Sequence, residues 1–471
     1  MIAAVATSLL LIAVGWPVAA ALDRRPVPLD RRLAESYLLG AALAALVLFV
    51  HHGWSRASLL LPLVAIAVIC GVVGRKGLGV TRCAVHWIDL ASAVLVAGYA
   101  RFATIGPTAE YDFIGIWGVK AKEFWFAGGI DWKFLENPFN QFAHVDYPLL
   151  VPLVFDVHAV VAGGWPDRWL GVVNAGFGVA TLLLLRVFLA EEARKPLLLA
   201  IATLACVGVA FAPWIGLAEG PLVAYGVAGL LFIRRGEVSR GALYLGLAAM
   251  CKNEGLTLIV AAAVAMVIAG GARKIARLWP AAAVVVPWLV VRSMHHLQTD
   301  LTASGVGERA IERLANLRPM FEAMLRYPVG RPLLWLAIAA AIVIGAREVG
   351  GRERFLAAAI ALQLLFFVAA YVITPHDVEW HVRWSWERIV DQLAAPATFL
   401  ALVLVTRRLD KQAPLYQITS TTCLPRSPST PRIPPPSTPS SSTASGWPSP
   451  QVGCSPAISS PRCGSSPSTC A

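Results

Sequence analysis

The chain has 471 residues, 57% of them hydrophobic and only 14% charged, with a formal net charge of +12. Soluble domains carry about 25% charged and roughly 45–50% apolar residues. Here apolar runs recur from end to end, several long enough for the roughly 20 residues a bilayer core requires, which excludes a soluble enzyme with one anchor. The basic excess is spread over short segments between these runs, as the positive-inside bias of a membrane protein demands, and not gathered into a nucleic-acid-binding patch.

In chain order, the run 2–22 reads as a first membrane helix: it lacks the basic start of a signal peptide, and a charged loop follows it. Further crossings are predicted near 34–51, 57–73, 86–104, 168–190, 197–216, 220–233, 241–253, 256–270, 278–294, 331–346, 355–373 and 389–405. The runs are rich in Leu, Ala and Val without alternation, so helices are the element that satisfies the backbone in lipid. The expected fold is all-α, a polytopic transmembrane bundle of about eleven to thirteen helices with a large first outer loop. "DRRPVPLDRR" (23–32), "GRKGLGVTR" (74–82), "EEARKP" (191–196), "RRGEVSR" (234–240), "GARKIAR" (271–277), "REVGGRER" (347–354) and "TRRLDK" (406–411) should face the cytoplasm. The apolar segment 147–164 does not fit as a crossing, because it would invert every later loop. It is expected to be a re-entrant or interfacial helix, or half of a hairpin.

Residues 1–85 form the N-terminal membrane helices of this scheme, and 86–411 a module with outer loops 105–146, 295–330 and 374–388. From 412 to 471 the text turns Pro/Ser/Thr-rich and should be disordered. The abrupt change reads as a frameshift product, a mucin-like stalk being the alternative. Cys70, Cys83, Cys206 and Cys251 are isolated in or beside helices and show neither metal-site nor redox spacing.

With the loops oriented, the polar features that lack a simple local explanation fall on the outer side. "PTAEYDFIGIWGVKAKEFW" (107–125) carries Glu110 and Asp112, then Lys120 and Lys122 among tryptophans, and His144 and Asp146 follow in "HVDYPLL". A carboxylate held within hydrogen-bonding reach of a hydroxyl or amine acts as its general base, and paired carboxylates also suit a divalent cation. Glu219 in "LAEGPLVAY" opens a helix, where the dipole and capping favour an acid in any case. "MCKNEGL" sets Lys252, Asn253 and Glu254 in a tight turn, with the Lys252 ammonium at the level of lipid phosphates. "TPHDVEWHVRWSWERIVDQL" (374–393) holds His376, Asp377, His381, Arg383 and Arg388 among tryptophans. Arginine in an outer loop runs against the charge bias and suits an anionic group such as lipid phosphate. No GxSxG, HExxH, Walker or GxGxxG motif occurs in a usable context.

An acidic ExD motif in the first large outer loop, after a helix, resembles the GT-C superfamily of membrane glycosyltransferases, which includes protein O-mannosyltransferases and aminoarabinose transferases. "HVDYPLLVPL" is similar to the Pro-containing segment after the acidic loop of those enzymes, and "AEGPLVAY" to their A-D-x-P-L helix start, with Glu219 where Asp is commoner. "KNEGL" and 374–393 resemble later loops of a bacterial subgroup. The resemblance spans about residues 86–405 and implies an inverting enzyme of the plasma (inner) membrane with its site on the extracytoplasmic side. The implied donor is a sugar linked to polyprenyl phosphate, and the acceptor a lipid, glycan or protein. By the same resemblance Asp112 is the catalytic base, Glu110 its assistant, and Lys252, Arg383 and Arg388 hold the leaving phosphate. No metal is demanded, although Glu110 and Asp112 would suit one. A transporter or flippase for lipid-linked saccharides, or an O-antigen-type polymerase or ligase, is the alternative.

Overall fold

Leucine, alanine and valine dominate the apolar runs, and in a computed structural model of the protein each run closes into helix. Residues 1–193, 195–211, 215–297 and 305–412 are described, all within one compact unit, Met1–Pro414. The Pro/Ser-rich tail, on which the expectations of disorder and a frameshift fall, lies outside the described residues from 413 onward.

The chain begins with α1 (Ile2–Ala21), α2 (Leu29–Val50), α3 (Arg56–Val73) and α4 (Asp89–Phe102). A parallel bridge pairs Val27 with Val80 and Pro28 with Thr81 between these helices. The long segment after α4 contains a π-turn, Phe113–Trp117, then α5 (Gly118–Ala127), α6 (Trp132–Glu136) and a 3₁₀ turn, Pro138–Ala143. There follow α7 (Leu150–Ala162), α8 (Gly171–Ala190), α9 (Pro196–Ala210), α10 (Glu219–Arg235), α11 (Val238–Ala249), α12 (Glu254–Ile268) and α13 (Trp279–Met294). The C-terminal part adds α14 (Val306–Ala315), α15 (Arg318–Arg326), α16 (Pro332–Gly345), α17 (Gly351–Ile373), α18 (Val378–Asp391) and α19 (Ala394–Gln412).

Among the described residues six helical segments are long and apolar enough to cross a membrane: α1, α2, α3, α8 with its leading turn, α13 with its leading turn, and α17. The joined pair α18–α19, bent by 41°, makes a seventh if taken as one broken span. Of the other predicted crossings, α4, α9, α10, α11, α12 and α16 have between 12 and 17 residues. At 1.5 Å per residue these reach roughly 18–26 Å, short of the ~30 Å hydrocarbon thickness. The expected eleven to thirteen spans therefore divide into six of full length and shorter helices packed among them.

The helices share two polar ends. At one end Arg240 pairs with Asp23 at 2.6 Å and with Glu35 at 2.7 Å, and Tyr244 donates to Glu35 at 2.9 Å. Arg31 reaches Glu35 at 3.0 Å and Arg32 reaches Asp23 at 2.9 Å. Arg234 bridges Glu192 and Glu353 at 2.6 and 2.8 Å, and Arg407 joins both acids. Arg186 holds Asp89 at 2.6 Å. These contacts link six of the seven loops expected to share one side, 23–32, 74–82, 191–196, 234–240, 347–354 and 406–411, through ion pairs and the bond from Arg32 to the Gly77 carbonyl. Arg31 and Arg32 do not lie in a solvated loop as expected: α2 starts at Leu29, and both guanidinium groups are buried against carboxylates.

Segment 147–164 resolves as a helix that does not cross. The Leu150 N–H donates to the Met250 carbonyl at one side of the opposite end, and Arg56, at the start of α3, donates to the Val161 and Ala162 carbonyls at the other. Helix α7 thus starts and finishes at the same end of the bundle, buried along Leu150–Val160 against α2 and α5. The inversion of later loops that a crossing would cause does not arise.

Close helix contact needs small residues. A Cβ on Gly15 would meet the Ser36 carbonyl oxygen, and one on Gly40 the Leu11 carbonyl oxygen, both far inside contact distance. The two glycines therefore let α1 and α2 approach backbone to backbone, as in membrane helix pairs generally. Removing one partner from a buried ion pair leaves an uncompensated charge. Glu35→Ala is therefore expected to lower stability by about 3–5 kcal/mol, and Glu35→Leu with Arg240→Met to recover part of it, as measured by thermal unfolding in nanodiscs.

Candidate functional site

Opposite the arginine-rich end, the segment between α4 and α5 begins with exposed residues around Glu110 and then turns inward. The π-turn Phe113–Trp117 is anchored by Phe113, edge-on to Phe155 of α7 at 5.5 Å, and by the buried Trp117 ring beside Tyr147 at 5.6 Å. Such turns are rare and concentrate at functional positions. Asp112 immediately precedes this one, half-buried, and its Oδ2 accepts a hydrogen bond from Arg388 Nη1 at 2.5 Å. The contact spans most of the chain in sequence and ties this segment to α18.

One turn further on, Lys120 is fully buried. Its Nζ donates to the His144 carbonyl at 3.0 Å and lies over the rings of Trp117 and Tyr147, 4.9 and 5.8 Å from their centroids. Burial lowers its pKa to about 7, against the opposing pull of Asp146. His144 has positive φ and stacks on Tyr147 at 4.8 Å. Asp146, also buried, accepts from Asn253 Nδ2 at 3.0 Å, which joins the segment before α7 to the α11–α12 turn.

That turn carries the centre of the cluster. Lys252 lies between Glu219, at 3.1 Å, and Glu254, at 2.8 Å. Burial opposes its charge, but the two carboxylates outweigh burial and hold its pKa above the ordinary value. Arg388 is coupled electrostatically to Asp112, Glu219, Glu254 and Lys252, and Lys252 to both glutamates. Tyr371, buried at the end of α17, shares a hydrogen bond of 2.7 Å with Ser385 and lies edge-on to His381 at 4.9 Å. Glu219 at the start of α10 and Lys252 between α11 and α12 are buried and Glu254 at the start of α12 is partly buried, so the cluster is recessed.

Two narrow clefts adjoin it. One is lined by Glu219, Val223, Arg331, Arg388, Asp391 and Gln392 among others. The other runs between apolar faces of α10, α12, α17 and α19, including Leu222, Leu230, Leu258 and Phe367, with Glu254, Gln363 and Gln392 as its polar members. Val223 and Gln392 belong to both.

The sequence-predicted residues divide accordingly. Asp112, Lys120, His144, Asp146, Glu219, Lys252, Asn253, Glu254, His381 and Arg388 gather at this end. Four others do not join the cluster's contacts. Glu110 and Lys122 are exposed, Asp377 is the N-cap of α18, accepting from the Trp380 N–H, and Arg383 is exposed over the Tyr327 and Trp384 rings. His376 is exposed beside Trp380 and reaches the cluster only through its 5.6 Å ring contact with His381. Lys252 is not an open phosphate ligand, since its ammonium is spent on two carboxylates. At the expected cation position, one oxygen of Asp112 is taken by Arg388, and among the described residues no group of three or more His, Cys, Asp or Glu is arranged to hold a metal.

Arg331, Asp391 and Gln392 were not singled out from sequence. Asp391 and Gln392 fall inside the predicted crossing 389–405, where the apolar pattern hides them. An ionisable residue inside a membrane run is itself a functional signal, and it would have found Asp391.

In the unfolded chain Lys120 keeps its ordinary pKa of 10.5, above the folded value of about 7. Between these values the unfolded chain binds the extra proton, so stability rises with pH across this window and is lowest below it. Lys120→Met is expected to flatten that slope in thermal unfolding scans from about pH 6 to 10; an equal slope in wild type and variant contradicts the assignment.

No protein-family model matches the chain, and it matches no curated protein and no solved structure.

Proposed function

We propose that the protein is a GT-C-type membrane glycosyltransferase that moves a sugar from a polyprenyl-phosphate-linked donor to a lipid, glycan or protein acceptor. In this reading it sits in the plasma (inner) membrane and works on the extracytoplasmic side. The observation that carries the reading is the convergence of Asp112, Glu219, Lys252, Glu254 and Arg388, from four distant parts of the chain, at the end of the bundle away from the arginine-rich loops. The apolar cleft beside this cluster suits the hydrocarbon part of such a donor.

The chemistry follows from the pairing. The acceptor hydroxyl oxygen attacks the anomeric carbon, the bond from that carbon to the phosphate oxygen breaks, and the phosphate leaves with the electron pair. Asp112 takes the acceptor's proton as general base. In the unliganded pairing the Arg388 guanidinium occupies one oxygen of Asp112. A donor phosphate competes for the same guanidinium, because bidentate contact with phosphate suits arginine. Binding the donor then frees that oxygen of Asp112 to meet the acceptor hydroxyl, and Arg388 stabilises the charge that grows on the leaving group. Lys252, enclosed by Glu219 and Glu254, acts through the field of the site and the placement of those acids rather than as a free phosphate clamp.

Asp112→Asn preserves the side chain's shape and its hydrogen bond from Arg388 but removes the base. Transfer from labelled donor lipid to acceptor by purified protein in nanodiscs is expected to fall by ~10²-fold or more, with unfolding temperature retained. Full transfer by the variant overturns the assignment. Donor lipid that crosses the membrane intact, with no product, points instead to a flippase.

A further inference from the structure

Helices α18 and α19 are separated by a break with a 41° bend, and the residues at that break, Asp391 and Gln392, interrupt an otherwise apolar stretch. Both are only 8% exposed. Asp391 Oδ2 takes Arg331 Nη2 at 2.5 Å. Among the described residues Asp391 Oδ1 has no hydrogen-bond partner, and neither have Gln392 Nε2, Glu219 Oε2 and Arg388 Nε. All four side chains line the same narrow cleft. Buried polar atoms are almost always satisfied, so four unpaired ones around one cleft mark a place where a ligand completes the hydrogen bonding.

Their chemistry narrows the ligand. Two carboxylate oxygens accept only, while an arginine and an amide N–H donate. A hydroxyl both donates and accepts, so a ligand with several hydroxyls satisfies the set, whereas a bare phosphate meets two carboxylates that repel it. Broken helices in membrane proteins put irregular backbone where it lines a binding cavity, and this break sits beside Arg388, the guanidinium assigned above to the phosphate.

We propose that the cleft at the α18–α19 break is a hydroxyl-binding subsite for the saccharide headgroup, with Asp391 and Gln392 as its specificity-determining residues. This assignment rests on the reading of the ligand as a lipid-linked saccharide. Glu219 serves both parts of the site: one oxygen holds Lys252, and the other faces the sugar. Arg331, which lines the same cleft, holds the Asp391 carboxylate by its other oxygen.

The test is binding to the full chain in nanodiscs, using a short-chain polyprenyl phosphate and its glucosyl, mannosyl and arabinosyl derivatives. The quantity read is the ratio of affinities for each glycosylated lipid and the bare lipid phosphate. Wild type is expected to prefer at least one glycosylated lipid by about tenfold or more, and Asp391→Asn and Gln392→Leu each to remove most of that ratio. Asp391→Asn keeps a hydrogen bond to Arg331, and Gln392→Leu makes no charge change, so a folding defect in one leaves the other informative. A ratio that persists in both variants, or its absence in wild type that binds the lipids, overturns the subsite and leaves the lipid-saccharide reading standing. Failure of wild type to bind any of the four lipids overturns that reading and the subsite with it.

Discussion

Charge cannot remain unpaired in hydrocarbon, and in this protein that constraint sorts the molecule into two unlike ends. At one end arginines from the connecting loops find acids within roughly hydrogen-bonding distance, and the ion pairs Arg240–Glu35, Arg32–Asp23 and Arg234–Glu353 lock the helices by their termini. Such pairs add little net stability compared with apolar replacements, but they penalise any arrangement that separates the partners. They are therefore best understood as fixing which helix ends lie together. Everything at the other end depends on that register.

At that other end the acids and bases are also paired, but incompletely. Asp112 holds Arg388, Lys252 holds two glutamates, and Arg331 holds Asp391, yet oxygens on Glu219, Glu254 and Asp391 and a nitrogen on Arg388 are left without partners among the described residues. The contrast is chemical rather than numerical. At the arginine-rich end Arg32 and Arg234 also keep unpaired buried nitrogens, but their groups are joined through multiply bonded pairs, while the recessed end sets its leftover donors and acceptors around two clefts. An active site or binding site needs this kind of partial satisfaction, because a ligand must gain something by entering.

The pairing also decides how individual residues work. From the text alone, Lys252 suits a phosphate as well as Arg388 does. In the folded protein the two diverge: Lys252 has a carboxylate on each side and keeps its charge for them, whereas Arg388 has one acidic partner and a spare Nε. Lys120, a surface lysine by composition, is enclosed by Trp117 and Tyr147 and loses its charge near neutral pH. Asp377, one of several acids in its segment, is consumed as a helix cap. Each outcome follows from the nearest neighbour in space, which for most of these residues is remote in sequence.

Much of the architecture is nonetheless legible in the amino-acid sequence. Leu/Ala/Val runs determine that the elements are helices, because lipid offers the backbone no other partner, and the spacing of arginine-rich loops determines which helix ends are neighbours. That same bookkeeping isolates 147–164 as a segment that does not cross, and collects Asp112, Asp146, Glu219, Lys252, Glu254 and Arg388 on one side. Tertiary structure alone decides the rest. Helix starts shift, as when α2 draws Arg31 and Arg32 into its first turns, because buried carboxylates compensate charges that composition assigns to water. Which acid meets which base, and which polar atoms at Asp391 and Gln392 are left over, depends on packing between helices far apart in the chain, and no local pattern of residues encodes it.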